Sequence, residues 1–372
     1  MNLPTNPMPL RESTFGGHAA TSKRRISHNS APLSLSASRD GVGMRGAPTS
    51  RFLARTMRMT AVLAVFLTAS AVHATTVAEI VGQVSLSSYT GFLNDSLYTH
   101  NGDNRGIGAT QHDQARTNIF NFLQGDGFTT SLDPFIYSGN TYNNVVGVKP
   151  GLVHPEQIYL VGAHYDSAEN PGADDNASGV AGVLEAARVL SQYSFEATIV
   201  FVAFDREEQG LIGSSHYAAE HAADLIMGMV SMDMIAYSAG DPTKAWVYYS
   251  EDNNSPLTAN LSSALLTYGD GIVATVGQMG YSDHVPFDTY GKNAALLIEY
   301  NVWSNPLYHQ GADSVDTANY IDYGYATSMT RGVVGLLAEQ AGVMSLPIPE
   351  PTAALMTCAG LLVICLRRRQ RS

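Results

Sequence analysis

The chain has 372 residues, of which 45% are hydrophobic and 15% charged, and its formal net charge is −12. This apolar fraction can fill a globular core, which excludes a chain that is disordered throughout. The negative charge repels phosphate backbones and therefore argues against nucleic-acid binding. Both cysteines, Cys358 and Cys365, lie in an apolar C-terminal segment, so the rest of the chain can contain neither an internal disulfide nor a thiolate metal ligand.

The N-terminal part has the composition of a processed segment. Residues 1–56 are rich in Ser, Arg and Pro without periodicity, which predicts an extension that is disordered or untranslated, with Met57 as the start. A basic start, an apolar run and small residues follow. This pattern predicts a secretory signal peptide over 57–74, cleaved after Ala74 by signal peptidase. The alternative is a buried helix, but the run is short and lies between Arg-rich and polar flanks.

The C-terminal segment, 343–372, has three parts. A Pro-Glu-Pro motif at 349–351 is followed by apolar residues over 352–366 and by a basic tail over 367–371. This arrangement resembles the PEP-CTERM sorting signal of Gram-negative bacteria, which implies a short membrane segment, transient membrane anchoring and cleavage by an exosortase. The alternative is a plain C-terminal anchor. In both cases the arginines stay on the cytoplasmic side, and the folded domain is exported to the cell envelope, the cell surface or the medium.

The remaining residues, 75–342, contain neither repeats nor a long linker, which predicts one domain. Continuous apolar strands alternating with helices are typical of an α/β fold whose mostly parallel central sheet is flanked by helices. Functional sites of such sheets lie at the carboxyl ends of the strands. The predicted helices cover 112–123, 178–193, 214–223, 256–268 and 320–341, and the predicted strands cover 142–148, 157–163, 197–204, 227–235, 244–249 and 294–300.

Potential metal ligands follow successive predicted strands. Taken singly, most have an ordinary explanation, such as a surface imidazole, a helix cap or a solvated turn. Asp233 is the exception, because a bare charge in an apolar run is costly unless it is paired or bound to a metal. Together they predict a zinc site, and three carboxylates with one bridging hydroxide balance the charge of two Zn²⁺ ions. The site of two histidines and three carboxylates would be drawn from His164, Asp166, Asp174, Asp175, Glu207, Glu208, Asp233 and His309.

The runs around Asp175 and Glu208 resemble those of the zinc peptidases of family M28 and are similar to the secreted bacterial aminopeptidases, over about residues 115–340. The resemblance implies a zinc-exopeptidase fold of the phosphorylase/hydrolase-like type, with two zinc ions per chain. It assigns Asp175 as the ligand that bridges both ions. The other ligands implied are His164 and Asp233 for one ion, and Glu208 and His309 for the other.

The same resemblance implies a mechanism. The N-terminal peptide bond of a peptide would be hydrolysed by a zinc-bridging hydroxide, with Glu207 as general base and then general acid. Asp166 would orient His164 from behind, and Asp174 would be a structural residue of its turn. The free N-terminus of the substrate would lie against the zinc pair and nearby acids, which restricts cleavage to the end of the chain.

Further residues near this constellation have less specific signals. Tyr281 is the candidate for stabilising the oxyanion, and Asp283 and His284 are expected to form a hydrogen-bonded helix start that lines the pocket. An apolar side-chain pocket, or alternatively core packing, is expected for Met279, Phe287 and Trp303.

Three alternatives remain open. A glutaminyl cyclase-like acyltransferase with one zinc has the same fold, but Asp174, Asp175 and Asn176 resemble the two-zinc peptidases instead. A carboxypeptidase needs basic residues for the terminal carboxylate of its substrate, and Lys and Arg are scarce between the two ends of the chain. A catalytically inactive binding module tends to lose ligands, whereas all five are present here.

Overall fold

The computed structural model describes residues 75–250 and 256–344. Its centre is an eight-stranded sheet, and two short strands, β4 and β10, pair separately. The strands are β1 (Thr129–Tyr137), β2 (Asn140–Lys149), β3 (His154–His164), β4 (Ser194–Phe195), β5 (Ala197–Phe204), β6 (Leu225–Met232), β7 (Lys244–Tyr249), β8 (Val273–Gln278), β9 (Ala294–Glu299) and β10 (Val343–Met344).

The order of the large sheet is β1-β2-β5-β3-β6-β9-β7-β8. Its four central strands are parallel, because β3 pairs in parallel with β5 and β6, and β6 pairs in parallel with β9. On one side β1 and β2 add antiparallel strands, and on the other side β7 is antiparallel to β9 and parallel to β8. The carboxyl ends of β5, β3, β6 and β9 therefore lie at one edge of the sheet.

Helices cover both faces. They are α1 (Val77–Val81), α2 (Leu86–Gly91), α3 (Thr110–Gly125), α4 (Gly179–Leu190), α5 (Ile212–Glu220), α6 (Pro256–Tyr268), α7 (His284–Thr289) and α8 (Tyr323–Gln340). Shorter turns of π-helix occur at Phe92–Ser96 and Ala173–Ser178, and a 3₁₀ turn occurs at Val302–Ser304.

The fully buried strand β5 shows how the two faces are packed. Because successive side chains of a strand point to opposite faces, Ile199 and Phe201 join the larger core, whereas Val200 and Val202 join the smaller one. The larger core is closed by α1–α4, α6 and α8, and the smaller core by α5 and α7. Both faces of the central strands are thus apolar, so polar side chains concentrate at the strand ends.

The predicted α/β class with a mostly parallel, helix-flanked sheet is confirmed. The prediction that Asp233 lies within a strand over 227–235 is wrong, because β6 ends at Met232. Asp174 and Asp175 precede the predicted helix 178–193, and Asp175 has non-helical angles (φ −107°, ψ 92°) in the π-helical turn before α4. Strands β1 and β8 were not predicted.

The predicted signal peptide and the PEP-CTERM motif with its apolar segment lie outside the described residues, as does 251–255. Val343 and Met344 belong to β10, so the folded region extends past the predicted boundary at 342. None of the described helices combines the length and hydropathy of a membrane-spanning segment.

Candidate active site

The predicted ligands reach one edge of the sheet from separate elements. His164 is the last residue of β3, and Asp233 directly follows β6. Glu208 lies in the turn between β5 and α5. Asp175 lies in the π-helical turn before α4, and His309 lies in the loop after the 3₁₀ turn. Parallel strands end at a common edge, which is why residues so far apart in the chain meet here.

The structure brings these five side chains into contact. His164 Nε2 lies 3.4 Å from Asp175 Oδ1 and 3.6 Å from Asp233 Oδ1. His309 Nε2 lies 3.1 Å from both Asp175 Oδ2 and Glu208 Oε2. Asp175 thus presents one carboxylate oxygen to each imidazole. These five residues, here called the cluster, form two candidate ligand sets, each with one histidine and one further acid, that share Asp175.

Two of these carboxylate oxygens lack hydrogen-bond donors. Within the described part of the chain, Glu208 Oε1 and Asp233 Oδ1 are buried without a hydrogen-bond partner, whereas Asp175 Oδ2 faces the His309 ring at 3.1 Å. Burying a carboxylate without donors costs several kcal/mol, roughly, unless a cation compensates it. Carboxylate oxygen and imidazole nitrogen are ligands that zinc accepts, so the residues present fit a divalent metal centre.

The electrostatics of the cluster reflect excess negative charge. Burial and then the charge of Asp175 raise the pKa of Glu208 to about 7. Burial also raises the pKa of Glu207 well above its ordinary value, with a contribution from Asp283. Burial alone would lower the pKa of His309, but hydrogen bonds to Asp175 and Glu208 outweigh it and raise that pKa to about 10. The acids hold more negative charge than the imidazoles neutralise, which favours cations.

Asp166 connects two parts of the cluster from behind. Its side chain is fully buried, and Oδ1 lies 3.5 Å from His164 Nδ1. The main-chain amides of Glu207 and Glu208 donate to Asp166 Oδ1 and Oδ2 at 3.1 and 3.3 Å. One carboxylate therefore fixes both the ring of His164 and the turn that carries the two glutamates.

Asp174 is also buried, and its carboxylate links its turn to two other segments of the chain. Its Oδ1 accepts from the Ala236 amide at 2.9 Å, and its Oδ2 accepts from Asn305 Nδ2 at 2.9 Å. Burial raises its pKa to about 6. These contacts agree with the structural role expected for it.

A cavity of about 190 Å³ opens over the cluster. Glu207 reaches it, with Oε2 4.0 Å from His164 Nε2. Tyr281 lines the cavity and is 73% exposed. The apolar part of the wall includes Met234, Met279, Ile298, Val302 and Trp303. The cavity thus has an acidic floor and an apolar wall. Met279 and Trp303 line it, which agrees with the expectation of a side-chain pocket rather than that of core packing.

Three neighbouring residues lie behind the cavity instead. Phe287 is fully buried in the smaller core. Asp283 and His284 are fully buried, and His284 Nε2 contacts the Met279 carbonyl at 3.0 Å. They form the start of α7, as expected, but they are not among the residues that line the cavity.

A second group of possible ligands, here called the outer group, consists of Asp133, His216 and Glu220. His216 Nε2 lies 3.3 Å from Asp133 Oδ1 and 3.8 Å from Glu220 Oε2. The side chain of Glu220 is 59% exposed, and Asn144 Nδ2 donates to Asp133 Oδ2 at 2.8 Å. Solvent and mutual pairing account for this group, so it gives no comparable signal of a metal.

A family model for peptidase family M28 matches residues 144–336, which include every member of the cluster. The chain belongs to peptidase family M28. This M28 chain is 33% identical to aminopeptidase YwaD of Bacillus subtilis, with 48% of the chain and 41% of that relative covered. It is 31% identical to leupeptin-inactivating enzyme 1 of Streptomyces exfoliatus, with 72% and 58% covered. The chain therefore spans about half the length of these curated relatives.

Solved structures show the same fold for the M28 chain. An aminopeptidase from Aneurinibacillus sp. strain AM-1 aligns with a TM-score of 0.63 at 19% identity, over 74% of this chain and 98% of that one. A glutaminyl cyclase of Bacteroides thetaiotaomicron aligns with a TM-score of 0.59 at 18% identity, over 68% and 97%. Because both identities are low, these likenesses concern the fold and do not distinguish the two activities.

Two buried residues of the M28 chain that support the cluster were missed by the sequence analysis. Asp313 accepts the main-chain amides of Asp174 at 2.7 Å and Asp175 at 3.1 Å. Arg105 donates to main-chain carbonyls around the same turn. Both lie in loops without periodicity and contact main-chain atoms, so the pattern of side chains carried no signal for them.

Proposed function

We propose that the chain is a zinc-dependent aminopeptidase that hydrolyses the N-terminal bond of peptides. The observation that carries this proposal is the cluster around Asp175 at the floor of the cavity, in which Glu208 Oε1 and Asp233 Oδ1 are buried without a hydrogen-bond partner. Two zinc ions would be held, one by His164, Asp175 and Asp233, the other by Asp175, Glu208 and His309. The names of aminopeptidase YwaD and of related zinc metalloproteases in fungi support the assignment.

When bound, zinc supplies a Lewis acid that polarises the peptide carbonyl and lowers the pKa of water. Glu207 is the proposed proton shuttle: its carboxylate faces the cavity, takes a proton from the attacking water and returns it to the leaving amine. Asp166 contacts the His164 ring and accepts the Glu207 amide, which fixes the proposed proton acceptor Glu207 relative to the proposed zinc ligand His164.

The substrates proposed are peptides with a free N-terminus. The acidic floor of the cavity attracts an ammonium group, and the small cavity accommodates the end of a peptide more readily than its middle. The apolar wall with Met279 and Trp303 would take the first side chain. Tyr281 reaches the mouth and is proposed as the donor to the oxyanion.

The proposal is tested with the full chain by measuring zinc per chain and the release of p-nitroaniline from amino-acid p-nitroanilides. We expect two zinc ions, activity that a chelator abolishes and zinc restores, and cleavage of free but not N-acetylated peptides. Cyclisation of N-terminal glutamine without hydrolysis would support the glutaminyl cyclase instead. Bound zinc with neither reaction would support an inactive binding module.

We further propose that the protein is exported, with cleavage of the signal peptide after Ala74 and sorting through the motif at 349–351. The support is the sequence pattern of the two terminal segments. Mass spectrometry of the protein recovered from the envelope and the medium of a Gram-negative host with an exosortase should give Thr75 as the first residue. A product that retains 57–74 contradicts export by this route.

A further inference from the structure

Arg105 is a fully buried arginine whose side chain is occupied by main-chain acceptors. It lies between the π-helical turn Phe92–Ser96 and α3. Burying a guanidinium is costly unless its donors are satisfied, so its partners indicate what it holds. Its Nε donates to Tyr165 O at 2.9 Å, Nη1 donates to Leu97 O at 3.1 Å, to Tyr98 O at 3.2 Å and to Pro171 O, and Nη2 donates to Gly172 O at 2.8 Å.

These carbonyls border the proposed zinc ligands. Tyr165 lies between His164 and Asp166, and Gly172 precedes the turn that carries Asp175. Gly172 has φ +54°, and a Cβ there would lie 2.3 Å from Asp175 O and 3.0 Å from Arg105 Nη2. The guanidinium therefore packs directly under the turn and connects it to the end of β3.

Arg105 also contributes charge where few cations are buried. Among the described residues, Arg105 and Arg206 are the buried Lys or Arg side chains. Arg206 lies over the Tyr142 ring, 4.1 Å from its centroid. The charge of Arg206 acts on Asp166, and that of Arg105 acts on Asp313, Asp166 and Asp175. A fixed positive charge next to these acids reduces their repulsion when the ligands are held together.

We propose that Arg105 is a positioning residue of the zinc centre, which fixes the Tyr165 and Gly172 carbonyls so that His164 and Asp175 meet the same ion. This inference rests on the proposed zinc-dependent function. The role needs a guanidinium, because its planar set of five donors reaches several carbonyls at once. A lysine keeps the charge but offers three donors from one nitrogen.

The test measures the zinc affinity of the folded full-length protein by competition with a chromogenic chelator, for wild type, Arg105→Gln and Arg105→Lys. We expect Arg105→Gln to bind zinc about 10- to 100-fold more weakly, as found for residues that orient metal ligands. Arg105→Lys should recover part of the loss. The unfolding temperature of the zinc-free proteins is recorded alongside. If the arginine were purely structural, its loss would lower this temperature and leave the zinc affinity of the folded protein unchanged.

The matched control is Arg331→Gln, which removes a partly exposed arginine paired with the exposed Asp270. Its zinc affinity should stay within about twofold of wild type, since such surface pairs contribute little. Wild-type zinc affinity in Arg105→Gln overturns the inference. If that variant does not fold, Arg105→Lys decides in the same way. A wild-type protein that binds no zinc contradicts the proposed function itself, which separates the two failures.

Discussion

The outer group and the cluster around Asp175 both combine histidine with carboxylates, but they differ in solvent exposure and hydrogen bonding. In the outer group, His216 and Glu220 are partly exposed, and solvent can replace the contacts of the His216 ring with the two carboxylates. In the cluster around Asp175, His309 is 38% exposed, but the side chains of Asp175 and His164 are at most 5% exposed, and Glu208 Oε1 and Asp233 Oδ1 are buried without a hydrogen-bond partner. Residue types alone therefore do not mark a metal centre. Several desolvated carboxylates beside two imidazoles are the stronger indication, because their buried charge leaves a cost that a cation removes.

The largest expected contrast between the two groups is catalytic. Glu207→Gln keeps the size of the side chain but removes the proton acceptor, so kcat should fall by about 10²- to 10⁴-fold. Zinc content should not change, because Glu207 is not a proposed ligand. The measurement is the hydrolysis of leucine p-nitroanilide together with metal analysis.

Glu220→Gln in the outer group is its control and should retain wild-type kcat. Equal activity of Glu207→Gln and wild type would remove Glu207 from the mechanism.

The next contrast concerns metal binding by the two histidines. His309→Ala should lower zinc content by one ion per chain, and activity at limiting zinc should fall about 100-fold or more, beyond the range typical of residues that only orient a ligand. His216→Ala should leave both quantities unchanged. Metal analysis after gel filtration compares them, and a similar loss of zinc from both variants would place a third ion at the outer group and break the comparison.

A smaller effect is expected behind the cluster. Asp166→Asn preserves the shape of the side chain but removes the charge that orients His164 and accepts the amides of Glu207 and Glu208. Zinc affinity should fall by about 10- to 100-fold. The control is Asp113→Asn, an exposed carboxylate paired with Arg116 at 2.9 Å. Chelator competition measures both, and matching affinities would mean that Asp166 does not support the metal.

The smallest effect is expected at the mouth of the cavity. Removal of a buried oxyanion donor typically costs about 10²- to 10³-fold in kcat. Because Tyr281 is 73% exposed, we expect Tyr281→Phe to lower kcat by about tenfold or less with little change in KM. Tyr290→Phe, another partly exposed tyrosine, serves as the control. A rise in KM alone would assign Tyr281 to substrate binding.

The strand ends of the cluster were predictable because the central strands are continuous apolar runs. His164 follows such a run directly, and Asp233 interrupts another. Parallel strands between helices place their carboxyl ends at one edge, so the rule that sites lie at these ends was sufficient to predict that the residues meet. The error of position at Asp233 was small because the strand and the following turn are both buried.

Other parts of the fold gave no such signal. Strand β1 contains Pro134 and has mostly exposed or half-exposed residues, which is compatible with its place at an edge of the sheet. Strand β8 occupies the other edge and has no buried residue. Edge strands bury little, so the hydrophobic pattern that identifies central strands is missing. Arg105 and Asp313 were unpredictable for a different reason, since their partners are main-chain atoms brought close only by the finished fold.

The left-handed backbone at Gly172 has a consequence for how this sequence tolerates change. The position has no functional group, yet any side chain there meets the carbonyl of Asp175 and the guanidinium beneath it. In a saturation library scored for peptide hydrolysis, position 172 should be as intolerant as the histidines. Activity would be lost there for a steric reason, although Gly172 takes no part in the chemistry. Mutational intolerance alone would therefore overstate how many residues of this loop take part in the reaction.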